Sequence, residues 1–252
     1  GPFRESEKNI ARIFGSKYSY SCVVGSSGAN KTIMNACIKH GYPIIVDRNC
    51  HKSIEHGMVL TDAQPTYMKP TRNRFGIIGP VTRAAMETAM EEAVEEAAKK
   101  GKKVAYGVLT NSTFDGILYN AEKVEDTLKN LPFLHFDEAW SGYARFNKLY
   151  EKQYAMRGDP SEQDENEQTV MANHSTHKVL AGIGQGAYIH MRYGKKHPVD
   201  SARFNQAYMM HTTTSPLYLI ALTNARNTLI LFLFNFFPIL KKEYFNNSIS
   251  SQ

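Results

Sequence analysis

Cysteine is scarce in this chain, with three in 252 residues: Cys22, Cys37 and Cys50. An odd count without paired metal-ligand spacing speaks against both a disulfide framework and a metal site, and fits reduced thiols in a cytoplasmic protein. Long hydrophobic runs are missing too. The longest, Leu229 to Leu240, is interrupted by Asn235 and Pro238 and falls short of the ~20 apolar residues that a membrane helix needs. No membrane partner is expected, and nothing at the start of the chain reads as a secretory signal. The formal charge of +6 raises the question of nucleic acid. The basic residues are nonetheless scattered, and their one cluster, Lys99-Lys100-Gly101-Lys102-Lys103, reads as the end of a helix, where lysines complement the dipole. With no nucleic-acid motif beside them, a nucleic-acid partner is not expected. What remains is 42% hydrophobic and 21% charged, the balance of an ordinary soluble globular chain, long enough for one large domain or two smaller ones.

The pattern alternates strand and helix. Tyr18 to Val24 is β-rich and runs into the loop Gly25-Ser26-Ser27-Gly28-Ala29-Asn30, with a helix from Lys31. Ile44 to Val46 is a short strand entered through Pro43, and a further helix follows His51. Residues 82–100 are the clearest helix: Met86, Ala89, Met90, Ala93, Val94 and Ala97 share one face and Gly101 stops it. Val104 to Thr110, Leu134 to Phe136, Thr169 to Ala172 and Ala187 to Met191 read as strands, and residues 158–168 as an acidic loop. Strands separated by helices predict an α/β fold with a mainly parallel sheet flanked by helices. In such sheets ligands bind outside the carboxyl ends of the strands. The Gly25–Asn30 loop, His51, Asp137 and the run Ser175-Thr176-His177-Lys178 all lie at or just after such ends.

The chemistry of these groups is complementary. Lys178, preceded by two hydroxyls and an imidazole, is placed to attack a carbonyl as a Schiff-base lysine, which requires its deprotonated form. Asp137 ends an apolar run and can hold a positive charge at the far end of a flat ligand. Pyridoxal phosphate asks for an amine for its aldehyde, donors for its phosphate and a carboxylate for its ring nitrogen. The Gly25–Gly28 segment can cradle a phosphate at a helix N-terminus, although it lacks the GK[ST] ending of a nucleotide P-loop and the third glycine of a dinucleotide fingerprint. His51 can stack on a pyridine ring and pass a proton. Trp140, the only tryptophan, reads as a packing wall or an indole donor. Taken singly, each has a plainer reading: a turn, a capping histidine, an N-cap aspartate, core packing, a surface lysine.

Several longer motifs carry a resemblance. Val46-Asp47-Arg48-Asn49-Cys50-His51-Lys52-Ser53, Pro70-Thr71-Arg72-Asn73, Leu134-His135-Phe136-Asp137-Glu138-Ala139-Trp140, Ser175-Thr176-His177-Lys178 and Tyr208-Met209-Met210-His211-Thr212-Thr213-Thr214-Ser215-Pro216 resemble the bacterial-type ornithine/lysine/arginine decarboxylases. These are fold-type-I enzymes dependent on pyridoxal 5'-phosphate. The resemblance implies Lys178 as the Schiff-base lysine, Asp137 as the ring-nitrogen partner and His51 as the stacking base. It implies Ser26, Ser27, Ser175 and His177 as phosphate donors beside Gly28, with Trp140 in the cofactor site. It also implies a homodimer or larger homo-oligomer with the site at the interface, where Thr213 serves the neighbouring subunit's phosphate. Within the family, Cys22-Val23-Val24-Gly25-Ser26-Ser27-Gly28 and Trp140-Ser141-Gly142-Tyr143-Ala144-Arg145-Phe146-Asn147 are more like the acid-inducible arginine enzymes. The expected reaction is therefore decarboxylation of L-arginine to agmatine in the cytoplasm, a proton-consuming step that suits acid resistance. Lysine or ornithine as substrate stays open, as does an inactive fragment serving in assembly. Residues 1–225 are expected to form the cofactor-binding major domain without the family's wing and C-terminal domains, and residues 226–252 a divergent tail.

Overall fold

The computed structural model describes residues 1–162 and 168–227. The predicted apolar run Leu229–Leu240 and the middle of the acidic loop lie outside them. In chain order the elements are α1 (Pro2–Phe14), β1 (Tyr18–Cys22), α2 (Gly25–Cys37), β2 (Pro43–Asp47), α3 (Lys52–Thr61), β3 (Gln64–Met68), α4 (Arg83–Lys99) and β4 (Tyr106–Thr110). They continue with α5 (Ala121–Thr127), β5 (Phe133–Asp137), two short 3-10 turns, β6 (Thr169–Ser175), α6 (Thr176–Val179), β7 (Ala187–Arg192) and α7 (Ser201–His211), and residues 218–227 are helical.

The seven strands form one sheet in the order β1-β7-β6-β5-β4-β2-β3. Neighbours from β6 to β3 are parallel, whereas β7 runs antiparallel to both β6 and β1. Strand alternation sends residues to two opposite cores. Cys22, Ile44, Val46, Val108, Met171 and Ile189 pack under α2, α3 and α7, while Ile45, Leu109, Leu134, Phe136, Val170 and Ala172 face α1, α4 and α5. With both faces covered, the central strands are continuous buried runs, which is why they were visible as strands without alternation. The edge strand β3 was not: Gln64-Pro65-Thr66-Tyr67-Met68 is polar, half-exposed and contains a proline that only an edge position tolerates.

Two expectations need correction. The helix after β1 begins at Gly25, not Lys31, so the glycine–serine segment forms its first turns. Gly25 supplies a φ of +72° for the sharp turn out of the strand. Gly28 sits where a Cβ would meet Val24 Cγ2 at 2.3 Å. Glycine is needed there for close approach, which overrides its poor helix propensity. On α4, Met86, Ala89, Ala93 and Ala97 are buried but Val94 is 48% exposed. Small alanines let the helix lie close on the sheet along a narrow stripe, and Val94, one residue beyond it, turns outward. Thr82 caps this helix by accepting the Ala85 N–H, and Gly101 follows its end with a φ of +62°.

Candidate functional site

Strand alternation places Asp137 at the end of β5 on the α2 side, 3% exposed. Its cross-strand partner on β6 is Asn173, whose Nδ2 donates to Asp137 Oδ1 at 2.9 Å. Asn30, in the second turn of α2, donates its Nδ2 to Asp137 Oδ2 at 2.9 Å. Behind Asn173 the row continues: His135 Nε2 lies 2.7 Å from Asn173 Oδ1, and Tyr106 Oη lies 2.7 Å from His135 Nδ1. Burial holds the His135 imidazole below its ordinary proton affinity. Both carboxylate oxygens of Asp137 thus accept amide hydrogens, and a buried acceptor of this kind is worth most toward a cation. Asn30 Oδ1, beside it, is buried without a partner among the described residues.

His51 is delivered to the same rim by the turn after β2. Asp47 Oδ1 accepts the Asn49 N–H at 2.8 Å and Thr110 Oγ1 donates to the Asn49 carbonyl at 3.2 Å, fixing the approach to α3. His51 caps that helix by accepting the Ser53 N–H at Nδ1, 3.2 Å away. Its proton affinity is lowered first by burial and further by Lys178, against an opposing pull from Asp137. Lys178, in the short helix α6 that follows β6, is half-buried, with Nζ 4.5 Å from the centroid of the Trp140 ring. Desolvation lowers its pKa and Asp137 opposes the shift. The reading of Trp140 as a wall fits this contact. Its other face-to-edge neighbour is Phe114, with ring centroids 5.9 Å apart.

At the opposite end, Ser175 Oγ donates to Ser26 Oγ at 2.8 Å, joining the end of β6 to the start of α2. Ser26 then keeps its own hydroxyl hydrogen for another acceptor. Ser27 is half-buried and Gly28 buried in the same turn. His177 is exposed and lies 3.0 Å through Nδ1 from the Gly186 carbonyl. A carbonyl only accepts, so Nδ1 carries the hydrogen, and Nε2 donates to an anion only as the imidazolium. Thr213 is exposed beyond α7, its hydroxyl accepting the Ser215 N–H at 3.1 Å. The structure therefore brings Asp137, His51, Lys178 and Trp140 to one rim and joins Ser26 to Ser175, while Thr213 faces solvent. Asn30, Ser53 and Asn173 were not read as site residues. The asparagines' sole sequence signal was polarity inside otherwise buried segments.

The other side of the sheet holds a second polar row. Glu138 Oε2 accepts from His174 Nε2 at 2.9 Å, His174 Nδ1 lies 3.0 Å from His190 Nε2, and His190 Nδ1 lies 2.7 Å from Ser19 Oγ. Asn111 Nδ2 and the Ala155 N–H also donate to Glu138 Oε1. Glu138, His174 and His190 are fully buried; the row runs from the residue after β5 to β6, then crosses diagonally to His190 on β7, whose register partner on β1 is Ser19.

An amine, a desolvated carboxylate and a hydroxyl-bearing helix start, grouped at the carboxyl ends of a mostly parallel sheet, define the class of fold-type-I pyridoxal-phosphate enzymes. Comparison narrows the class: residues 1–231 match the major domain of the Orn/Lys/Arg decarboxylases, and the chain belongs to this family. It is 53% identical over 230 residues to the biodegradative arginine decarboxylase of Escherichia coli K12, covering 89% of this chain and 30% of that protein. To the lysine decarboxylase LdcA of Pseudomonas aeruginosa it is 41% identical over 223 residues, covering 86% of this chain and 29% of that protein. The solved structure of lysine decarboxylase A from Pseudomonas aeruginosa superposes with a TM-score of 0.82 at 38% identity, over 92% of this chain and 31% of that one. The chain thus spans under a third of the length of these relatives.

Proposed function

We propose that this chain is the pyridoxal-phosphate-binding part of a basic amino-acid decarboxylase, and that its substrate is L-arginine. The observation that carries the cofactor reading is the pairing of Asp137 with Lys178. A carboxylate held by two asparagine amides stands on the same rim as an amine whose proton affinity burial lowers. When bound, the cofactor supplies an aldehyde for amines and a ring that takes up the electron pair released as CO₂ leaves. Asp137 would face the ring nitrogen and hold its proton there, the charge that favours uptake of that pair. His51, whose proton affinity burial lowers, would cover the ring face. Lys178 is the residue that would hold the cofactor through its aldehyde, and Trp140 packs against the Lys178 side chain. Ser26 and Ser27 would hold the phosphate at the start of α2, with Ser175 orienting the Ser26 hydroxyl and His177 beside them. The overall change is loss of CO₂ from the α-carbon and uptake of one proton in its place.

Arginine is favoured over lysine by the higher identity to the arginine enzyme, 53% against 41%. A second copy of the chain is the proposed partner. Thr213 is exposed next to the apolar stretch Met209, Met210, Leu217, Tyr218, Leu219 and Leu222, each at least half exposed. A patch of this kind marks an interface. The decisive experiment loads the protein with pyridoxal phosphate, reduces it with borohydride and maps the labelled peptide. The pyridoxyl mass is expected on Lys178, and finding it on Lys52 or Lys31 removes the assignment. A CO₂-release panel with arginine, lysine and ornithine on the longer protein then tests the substrate.

A further inference from the structure

Ser53 is a buried residue, 1% exposed, that none of the chemistry above uses. It meets His51 twice. Its backbone N–H donates to His51 Nδ1 at 3.2 Å and its Oγ lies 2.8 Å from the same nitrogen. An N–H group can only donate, so Nδ1 must present a lone pair and the imidazole proton sits on Nε2. The Ser53 hydroxyl hydrogen then points to Nδ1 as well, since that nitrogen has none to give. This leaves the oxygen's lone pairs for Asn30, whose Nδ2 lies 2.9 Å from Ser53 Oγ. The second hydrogen of the same Nδ2 goes to Asp137 Oδ2 at 2.9 Å. Turning the Asn30 amide over would set its carbonyl oxygen against the Asp137 carboxylate, so the charge on Asp137 fixes the amide. Every hydrogen from Asp137 to His51 thereby has one direction.

We infer that Ser53 is a positioning residue: together with Asn30 it transmits the charged state of Asp137 to His51 and holds His51 as the Nε2–H tautomer. The geometric part stands on this chain alone, and only its catalytic meaning rests on the cofactor reading above. The groups bearing on His51 are Asp137 from β5, Lys178 from α6, and Lys52 and His56 from its own helix. Ser53 adds no charge to that set. It acts by donating to the lone pair that protonation at Nδ1 would occupy, so losing the hydroxyl makes His51 easier to protonate.

The test is two-bond ¹H–¹⁵N correlation NMR of the cofactor-free, uniformly labelled chain, followed through a pH titration. In the parent protein His51 should show a pyridine-type Nδ1 and a pyrrole-type Nε2. The reverse pattern overturns the inference without any variant being made. In Ser53→Ala the backbone N–H of residue 53 still donates to Nδ1, so the tautomer should persist while the His51 titration moves to higher pH. An unchanged titration in a variant whose remaining spectrum is native-like also overturns it. In cofactor-loaded longer protein, Ser53→Ala should move the acid limb of the CO₂-release profile to higher pH with KM for the amino acid unchanged; an unmoved limb counts against the inference. The NMR readout contains no cofactor. Failure of borohydride labelling at Lys178 would therefore count against the cofactor reading and leave this one standing.

Discussion

At the residue scale, the site is a set of side chains whose protonation states are set by what donates to them. Asp137 is the clearest case, since each of its two oxygens accepts an amide hydrogen, from Asn30 and from Asn173, which fixes the carboxylate in place. Asp137→Asn would turn one of those contacts into a donor facing a donor and remove the negative charge. In the longer, active protein we expect borohydride to label Lys178 still, while CO₂ release falls by about two orders of magnitude, the scale seen when a preorganised electrostatic contact is lost. Near-normal turnover would show that the ring proton is held by something else. Lys178 itself is pulled in two directions. Contact with the Trp140 ring and the Asp137 charge favour the ammonium, whereas desolvation favours the amine the chemistry needs. Trp140→Leu keeps the desolvation and removes the ring, so the pH at which pyridoxal phosphate labels Lys178 half-maximally should fall. A rise, or no change, would mean that the indole does not contribute to holding the charge.

At the element scale, the join between α2 and the strand before it is tight enough to be tested directly. A methyl at Gly28 would have to displace Val24 Cγ2, 2.3 Å away. Gly28→Ala should therefore cost about 1–3 kcal/mol, read as a lower urea midpoint, and weaken binding of inorganic phosphate at the start of the helix. Unchanged stability would mean that Val24 rotates away freely. The row from Glu138 to Ser19 makes a stronger demand. Glu138→Ala would strip the acceptor from His174, Asn111 and the Ala155 N–H, all buried, at a cost of about 3 kcal/mol or more. Glu138→Gln should retain part of this, and equal urea midpoints for the two variants would argue against the row acting as a unit. These two places also mark what the sequence could and could not tell. The central strands, the helix from Thr82 and the alignment of His51, Asp137 and Lys178 at strand ends were legible because burial on two faces writes unbroken apolar runs ending in polar residues. The start of α2 was misread because glycine and serine are local turn-formers, and only the approach of Val24 shows why they sit in a helix. His174 and His190 were silent, because a polar pair that meets across β6 and β7 leaves no local spacing to see.

At the scale of the whole molecule, the described chain leaves a wide apolar stretch uncovered around Met210, 69% exposed, and Tyr218, 67% exposed. If a second copy covers it, light scattering should show a concentration-dependent dimer, and Met210→Lys should shift it toward monomer. A strictly monomeric parent would remove the proposed interface. Acid should press on the same chain from within. Burial holds His190 well below its ordinary proton affinity, helped by His174, and holds His135 below it as well. Once the chain unfolds, both imidazoles titrate near the ordinary histidine value of about 6.5. Below that pH the unfolded state binds protons that the folded state refuses, so stability must fall as pH falls, by up to about 1.4 kcal/mol per pH unit for each histidine. The loss ends only below the folded-state values, where the folded protein takes up the protons too. Urea midpoints measured between about pH 7.5 and 5.5 should therefore decline toward acid, with both imidazoles titrating in the folded protein below their unfolded value by NMR. A midpoint that holds constant or rises toward pH 5.5 would show that other groups gain more from acid than these two buried histidines lose. That decline arises within the core of the chain itself. Association offsets it by mass action, because a partner that binds only the folded chain raises the free energy of unfolding. The acid slope should thus be offset by a higher midpoint as protein concentration rises, and a midpoint independent of concentration would separate acid tolerance from assembly.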